Sequence, residues 1–192
     1  MTSREAILGR IRAAHREDTP HPEVKMYEVP GDALANFERK LRGFDGQSMR
    51  FGSRAEALGW LGSKINVGEQ VIFSSLPDFK GNISAEELAD PHAANVVQVC
   101  VGEGELGVGE TGSVWVTDRS LGIVAAALFC TDLYLLLDSR KIVGGLHEAY
   151  KSVGFGSTHY GAFYTGPSAT ADIEAVHITG AQGEISLTVL LY

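Results

Sequence analysis

The second half of the chain alternates short apolar runs with helical patterns, and this alternation constrains the fold more than any other feature. Residues 113–116 and 133–137 predict strands, and the second run is apolar throughout, as is typical of a strand buried on both faces. Residues 121–128 and 141–153 carry apolar side chains at helical spacing. Strands that alternate with helices are typical of a layered α/β domain with a mainly parallel sheet.

The first part of the chain is organised differently. Residues 3–15 predict an amphipathic helix, and residues 17–30 hold three prolines and alternating charges, which favour a linker or an extended arm. Another helix is predicted at residues 32–42. We therefore expect a helical extension over residues 1–45 and one α/β domain over residues 46–192. Two further helices are predicted at residues 54–65 and 85–89.

Charge is unevenly distributed along the chain, whose net charge is −8. Residues 1–64 hold 11 basic and 9 acidic side chains, whereas the remainder holds 5 basic and 15 acidic ones. The acidic body argues against nucleic acid as the main partner. The mildly basic first third is suited to docking on an acidic surface, although charged helix faces are more often simply solvated.

Hydropathy and cysteine usage predict a cytoplasmic protein. No apolar run reaches the length of a membrane-spanning helix, and the first residues lack the apolar core of a signal peptide. Cys100 and Cys130 lie inside apolar runs, as expected of buried thiols in a reducing compartment.

A glycine pattern at residues 102–107 fits the G-x-G-x-x-G of dinucleotide-binding loops but lacks its setting. Glu103 and Glu105 would lie where a pyrophosphate binds and would repel it, and the strand-like residues that follow offer no helix N-terminus. The histidines lack metal-ligand spacing, and no C-x-x-C pair is present to hold an iron–sulfur cluster. We expect neither a dinucleotide nor a metal in this chain.

A segment near the C-terminus, residues 165–174, combines a strand stop with a helix start. Gly-Pro ends the preceding apolar run, and the small hydroxyl residues after it are N-cap candidates. A helix is predicted from Ala171 to Val176, with Asp172 and Glu174 in its first turn. Such junctions often hold a ligand in α/β proteins, although a capped junction without a ligand is equally compatible with these residues.

Glu110-Thr111-Gly112 is the second candidate segment. A carboxylate on a glycine-flanked turn that enters an apolar strand is free to approach a ligand, or to have its pKa raised by burial. A surface loop glutamate is the alternative. Arg119 and Arg140 are isolated cations in an acidic body, each suited either to anchoring an anion or to a surface ion pair.

These two segments resemble the motifs of the LUD-domain family, in particular its lactate-utilisation protein C (LutC/YkgG) group. Residues 165–174 are similar to the family's Gly-Pro-Ser-x-Thr-Ala-Asp-Ile-Glu segment. In the family this segment precedes a glycine-rich turn, here residues 180–183, and a last apolar strand, here residues 185–191. Residues 109–113 are similar to the family's Glu-Thr-Gly-Thr/Ser motif. The likeness extends from about residue 95 to the last residue.

The resemblance implies a fold and a set of site residues. LUD domains are thought to share the three-layer fold of the ribose-phosphate isomerase, glucosamine-phosphate deaminase and CoA-transferase (NagB/RpiA/CoA-transferase) superfamily. In CoA-transferases a glutamate in a similar Glu-x-Gly setting is the nucleophile, which implies a catalytic role for Glu110. The residues expected to contact a ligand are Thr111, Gly112, Arg119, Gly166, Ser168, Thr170, Asp172 and Glu174.

The resemblance also implies a function. The chain is expected to be a component of a system that oxidises L-lactate to pyruvate, with no cofactor of its own and with iron–sulfur clusters in separate partner subunits. A small anionic ligand is compatible with this role. The alternatives are a stand-alone isomerase- or CoA-transferase-like enzyme that uses Glu110 on a sugar phosphate or an acyl-CoA, and a non-catalytic interaction module.

Several positions depart from the family pattern. Before the buried strand a Pro and a His are usual, whereas residues 129–132 contain neither. Ala169 stands where a basic residue is common, and Gln182 and Glu184 stand where the glycine-rich turn often has His and Pro. The charged contacts to an anion are therefore expected to differ from those of typical members.

Overall fold

The computed structural model describes residues 2–14, 25, 27–154, 156, 158–171, 176, 178–180 and 183–192. The helices are α1 (Ser3–Ala13), α2 (Ala33–Gly43), α3 (Arg54–Lys64), α4 (Asp118–Leu121), α5 (Val124–Phe129) and α6 (Leu146–Ser152). The strands of the first half are β1 (Gln47–Arg50), β2 (Ile72–Ser74), β3 (Val99–Gly104) and β4 (Leu106–Val108). The later strands are β5 (Ser113–Thr117), β6 (Asp132–Leu137), β7 (Ile142–Val143), β8 (Gly161–Tyr164), β9 (Ala169–Thr170), β10 (Ile178–Thr179) and β11 (Ser186–Leu191).

A central sheet of five parallel strands, in the order β1-β11-β6-β3-β2, forms the middle of the domain. Strands β6 and β11 lie at its centre in register, with Leu135 opposite Val189. Both strands are almost wholly apolar because helices or a second sheet cover each of their faces. The predicted α/β class with a mainly parallel sheet is confirmed.

The two faces of the central sheet bury two separate cores. On one face Ala57 and Leu61 of α3 pack against Leu136 and Leu190. The other face carries the larger core, built with α2, α4, α5 and strand β5. Helix α3 connects β1 at one edge of the sheet to β2 at the other edge. The later connections, from β2 to β3, to β6 and to β11, lead back across the sheet in the opposite direction. Right-handed crossovers in opposite directions lie on opposite faces of a sheet, which explains the division.

A second sheet, in the order β7-β4-β5-β8, covers part of the larger core. Its close approach depends on the glycines of residues 102–107, which lie in β3 and β4 rather than in a loop before a helix. A Cβ on Gly104 would collide with Val114, and one on Gly107 would lie 2.8 Å from Cγ1 of Ile142. These glycines therefore do not form a loop between a strand and a helix, and they serve packing between the two sheets.

Some predicted helices are shorter than expected or missing. The helix predicted at residues 141–153 is reduced to α6, because β7 and the pair Gly144-Gly145 precede it. The helix predicted at residues 121–128 is divided into α4 and α5 at Gly122, whose φ is 70°. Residues 85–88 form turns, so the helix predicted there was wrong.

The N-terminal helices differ from one another in burial. Helix α1 has no buried residue, and Ile7 and Ile11 are 55% and 62% exposed. Helix α2 contributes Phe37 and Leu41 to the larger core. Among the described residues, every helix is too short or too polar to cross a bilayer. Both cysteines are free and buried, as predicted.

Candidate functional site

The Glu110-Thr111-Gly112 turn joins β4 to β5 and lies against α2. Gly112 has a φ of 73°, and a Cβ at this position would collide with the backbone of Leu41. Its N–H donates to the Val108 carbonyl at 2.8 Å, which closes the turn. The left-handed conformation and the contact with α2 both require glycine here.

The Glu110 carboxylate is exposed and bonded to the backbone at the start of α6. Oε2 accepts a hydrogen bond from the Leu146 N–H at 2.9 Å. The carboxylate borders a cavity of about 590 Å³ that Glu28, Glu148 and His147 also line, and we call it the acidic pocket. Among the described residues, those of the acidic pocket included, no group of three or more His, Cys, Asp or Glu side chains is arranged so that it could hold a metal ion. Its three carboxylates disfavour an anionic ligand.

A chain of hydroxyls links the two segments that the sequence singled out. Ser113 Oγ donates to Thr111 Oγ1 at 2.7 Å and lies 2.5 Å from Thr165 Oγ1. A hydroxyl has one proton, so Thr165 donates to Ser113. Next to it Gly166, with a φ of 71°, packs directly on the backbone of Phe44. The two segments therefore meet at the C-terminal end of α2.

A cavity of about 430 Å³ opens where they meet, and we call it the lysine pocket. Its lining residues are Lys40, Phe44, Glu110, Thr111, Ser113 and Thr165. Among them are one cation, one carboxylate and three hydroxyls. The pocket therefore offers both a positive group for a small anion and acceptors for a hydroxyl group.

A second cavity, of about 270 Å³, lies on the other side of Thr165, and we call it the tyrosine pocket. Its lining residues are Leu128, Tyr160, Tyr164, Thr165, Gly166, Pro167, Ser168 and Glu184. The two tyrosine hydroxyls are 3.0 Å apart. Burial raises the pKa of Glu184 to about 7, and only 5% of this residue is exposed. Burial and the hydrogen bond with Tyr160 also raise the pKa of Tyr164.

Comparison with known proteins identifies the family. A family model described as the LUD domain matches residues 45–192, which is more than half of the chain. The chain belongs to the LUD-domain family. The resemblance to the LUD-domain family is thereby confirmed at the level of the family.

A solved structure supports the fold of this LUD domain. The crystal structure of a DUF162 family protein from Deinococcus radiodurans superposes with a TM-score of 0.59. The match covers 83% of this chain and 95% of the other, at 15% sequence identity. At this identity the likeness concerns the fold alone. No curated protein matches the chain significantly.

The LUD domain brings some of the predicted site residues together and separates others. Glu110 and Thr111 line the lysine pocket, while Gly166 and Ser168 line the tyrosine pocket. Gly112 packs against the backbone of α2. Arg119 lies in α4, beyond the far end of β5 from Glu110, and a strand of this length spans roughly 15 Å. The two motif segments meet at Thr165, whose hydroxyl contacts Ser113, and Ser168 lines the other cavity.

The end of the C-terminal motif differs from the prediction. Ala169 and Thr170 form β9, which pairs antiparallel with β10, so no helix is capped at Ser168. Ala171 and Val176 are not helical. Asp172 and Glu174, and with them most of the predicted helix, lie outside the described residues.

Sequence reasoning missed Lys40 and the groups of the tyrosine pocket. Lys40 precedes the motifs by a long stretch of chain and is an ordinary exposed lysine of a helix, so no local signal marked it. Glu184 was visible as a carboxylate where the family often has proline. Tyr160 and Tyr164 carried no motif, because only the packing of β8 and of the residue before it brings them into a cavity with Glu184.

The carboxyl edge of the central sheet, where α/β proteins often bind ligands, is occupied by an ion-pair network. Arg54 Nε donates to Asp78 at 2.7 Å, and Nη1 donates to Glu103 at 3.1 Å and to the Tyr192 hydroxyl at 3.0 Å. The hydrogen bond from Arg54 lowers the pKa of Asp78. The guanidinium is engaged by protein groups, which is a structural role.

Proposed function

We propose that this LUD domain is a component of a cytoplasmic lactate-utilisation system, which oxidises L-lactate to pyruvate with separate iron–sulfur proteins. The observation that carries the proposal is the lysine pocket, formed where the two family motifs meet. Membership of the LUD family supports the same assignment.

The lysine pocket suits the chemistry of a 2-hydroxycarboxylate. The carboxylate of such a ligand needs a cation, and Lys40 supplies one at the rim. Its hydroxyl needs an acceptor, and the Glu110 carboxylate lines the same cavity. The hydroxyls of Thr111 and Thr165 add short-range polar contacts, so the polar groups of such a ligand would find partners in the pocket.

This chain would bind and orient lactate, and its partners would accept the electrons. Iron–sulfur clusters are held by sets of cysteine thiolates, and the chain has only Cys100 and Cys130, both buried. Electrons removed from lactate would therefore pass to clusters of the partner proteins.

Growth of the native host tests the assignment. Deletion of the gene should abolish growth on L-lactate but not on pyruvate. The wild-type gene should restore growth, as should a Lys151→Gln variant, since Lys151 is an exposed lysine at the far end of α6. Lys40→Gln should fail to restore it. Unchanged growth of the deletion strain on lactate would contradict the proposal.

Binding to the purified chain tests the pocket separately from the system. Isothermal titration calorimetry with L-lactate should show saturable binding, and Lys40→Gln should weaken it about tenfold through loss of one charge-assisted contact. Lys151→Gln should bind as the wild type does. If growth requires the gene but lactate binds equally to the Lys40 variant, the pocket assignment is wrong and the system assignment stands.

A CoA-transferase- or isomerase-type enzyme is the second candidate, and one observation favours it. The Glu110 carboxylate is held by a backbone N–H and faces the acidic pocket, as a nucleophile or base would. Glu28 and Glu148 in that pocket would repel the phosphates of such substrates. Turnover of acyl-CoA or sugar phosphates by the purified chain alone, lost in Glu110→Gln, would favour this candidate over the first.

Helix α1 is the proposed docking element for a partner in either role. Its isoleucines Ile7 and Ile11 are exposed, and it carries Arg4, Arg10 and Arg12. Deletion of residues 1–30 should therefore weaken co-purification with the iron–sulfur proteins. Intact co-purification would exclude α1 as the docking element.

A further inference from the structure

The tyrosine pocket holds groups that the proposed function does not use. Glu184 is 5% exposed and lies at the wall of the cavity, and no lysine, arginine or histidine is among the described residues that line it. The described residues also form no ion pair to Glu184. A buried carboxyl without a positive neighbour reduces stability, because its ionised form loses hydration without electrostatic compensation.

The remaining walls suit a positive group. Tyr160 and Tyr164 present hydroxyl oxygens 3.0 Å apart, and Ser168 adds another. Hydroxyl oxygens accept hydrogen bonds from an ammonium group, which is a donor only. Tyrosine rings also attract cations through their faces. Residues 65–192 carry a net negative charge, which attracts cations to this part of the domain.

We propose that the tyrosine pocket binds the ammonium group of a small primary amine, with Glu184 as its counter-ion and Tyr160 and Tyr164 as hydrogen-bond acceptors. The cavity of about 270 Å³ limits the ligand to a few heavy atoms beyond the ammonium group. The raised pKa of Glu184 agrees with this role, since an arriving cation would compensate the desolvated carboxylate. The proposal is independent of the proposed binding of lactate, which would use the lysine pocket.

Three probes of similar size test whether the tyrosine pocket prefers a cation, a neutral molecule or an anion. Ethanolamine is a cation, ethylene glycol is neutral and glycolate is an anion. Protein labelled with ¹³C in the tyrosine rings is titrated with each probe, and Tyr160 and Tyr164 are assigned from their phenylalanine variants. Ethanolamine should shift both ring signals in a saturable manner, ethylene glycol should bind at least about tenfold more weakly, and glycolate should cause no shift.

Variants of the lining residues show whether ethanolamine binding depends on the charge of Glu184 or only on the shape of the pocket. Glu184→Gln retains size but not charge, and it should weaken ethanolamine binding about tenfold or more. Tyr164→Phe should weaken it by a smaller factor. Tyr150→Phe is the matched control, because Tyr150 lies on α6 outside the pocket, and it should leave binding unchanged.

Binding of both ligands to each variant tests the ammonium proposal and the lactate proposal separately. Glu184→Gln should bind L-lactate as the wild type does, which also reports that the variant is folded. Lys40→Gln should bind ethanolamine normally. Equal binding of ethanolamine and ethylene glycol, or ethanolamine binding that survives in Glu184→Gln, would overturn the ammonium assignment, as would preferential binding of glycolate.

Discussion

Glu110 and Glu184 line two cavities that share Thr165, and the two residues differ sharply in burial. Glu110 is exposed, and its carboxylate accepts a backbone hydrogen bond at 2.9 Å. Glu184 is 5% exposed, with a pKa of about 7. Motif position therefore says little about the state of a carboxyl, whereas burial and neighbouring charge determine it.

Substitution in the segment between the lysine and tyrosine pockets should have the largest effect on the stability of the protein. Gly166→Ala should destabilise the protein by about 3 kcal/mol or more, because it combines a φ of 71° with a direct collision of the new Cβ with the Phe44 carbonyl. Urea denaturation measures the change. Gly59→Ala is the matched control: this glycine of α3 has open space around it, and the substitution should stabilise by about 0.5–1 kcal/mol. Equal stability of Gly166→Ala and Gly59→Ala would show that the backbone at Gly166 can move away from Phe44.

Glu184 should impose a pH dependence on stability. Burial raises its pKa from 4.5 in the unfolded chain to about 7, so the folded state binds more protons between these values. Stability therefore falls as pH rises from about 4.5 to 7, by at most about 3 kcal/mol, since each pKa unit is worth about 1.4 kcal/mol. Glu184→Gln should lack this loss and be the more stable protein at pH 8. A parallel pH profile for both proteins would contradict the burial argument.

Asp138 supplies a control of the opposite sign. The hydrogen bond from Arg140 lowers its pKa from 3.8 to about 2. Its stabilisation is present above pH 3.8 and lost as pH falls towards 2. The difference in unfolding free energy between the wild type and Asp138→Asn should therefore shrink on acidification, which chemical denaturation at several pH values measures.

Removal of the hydroxyl that joins the two motifs should have an intermediate effect. Ser113 is 4% exposed and bonds to both Thr111 and Thr165. Ser113→Ala should cost about 1–2 kcal/mol, because it leaves two hydroxyls without their partner. Thr111→Ser keeps the hydroxyl and should change the urea midpoint much less. A neutral Ser113→Ala would mean that water replaces the lost hydroxyl.

Glu110 should contribute least to stability. Glu110→Ala removes the bond to the Leu146 N–H at an exposed position and should cost about 0.5–1 kcal/mol. Glu110→Gln retains an acceptor oxygen and should lie within about 0.5 kcal/mol of the wild type. Thermal unfolding of both variants checks this, and a larger loss would assign Glu110 a structural role.

Much of the fold was predictable, and the failures have local causes. Strands β6 and β11 follow from apolar runs that are long enough to be buried on both faces. The helix predicted at residues 141–153 failed because apolar spacing continues through β7, where pairing with β4 outweighs helical periodicity. The division at Gly122 depends on a left-handed residue that periodicity does not reveal.

The candidate site was predictable only in part, for a physical reason. The two motifs identified Glu110, Thr111 and Gly166 as neighbours of a cavity. They did not identify Lys40, because a cation on α2 reaches the cavity only once that helix packs against the turn at Gly112. Arg119 was misplaced relative to Glu110, since the length of β5 separates residues that are close in sequence.

The sequence by itself determined the α/β class, the buried central strands and the family, because these depend on residue types and their spacing along the chain. Only the tertiary structure decided which carboxyl is buried and which is exposed. It also decided that Lys40 lines the same cavity as Glu110, and that Tyr160 and Tyr164 line a cavity with Glu184. The ionisation of a carboxyl depends on hydration and on charges a few ångströms away, and those distances exist only after the chain has packed.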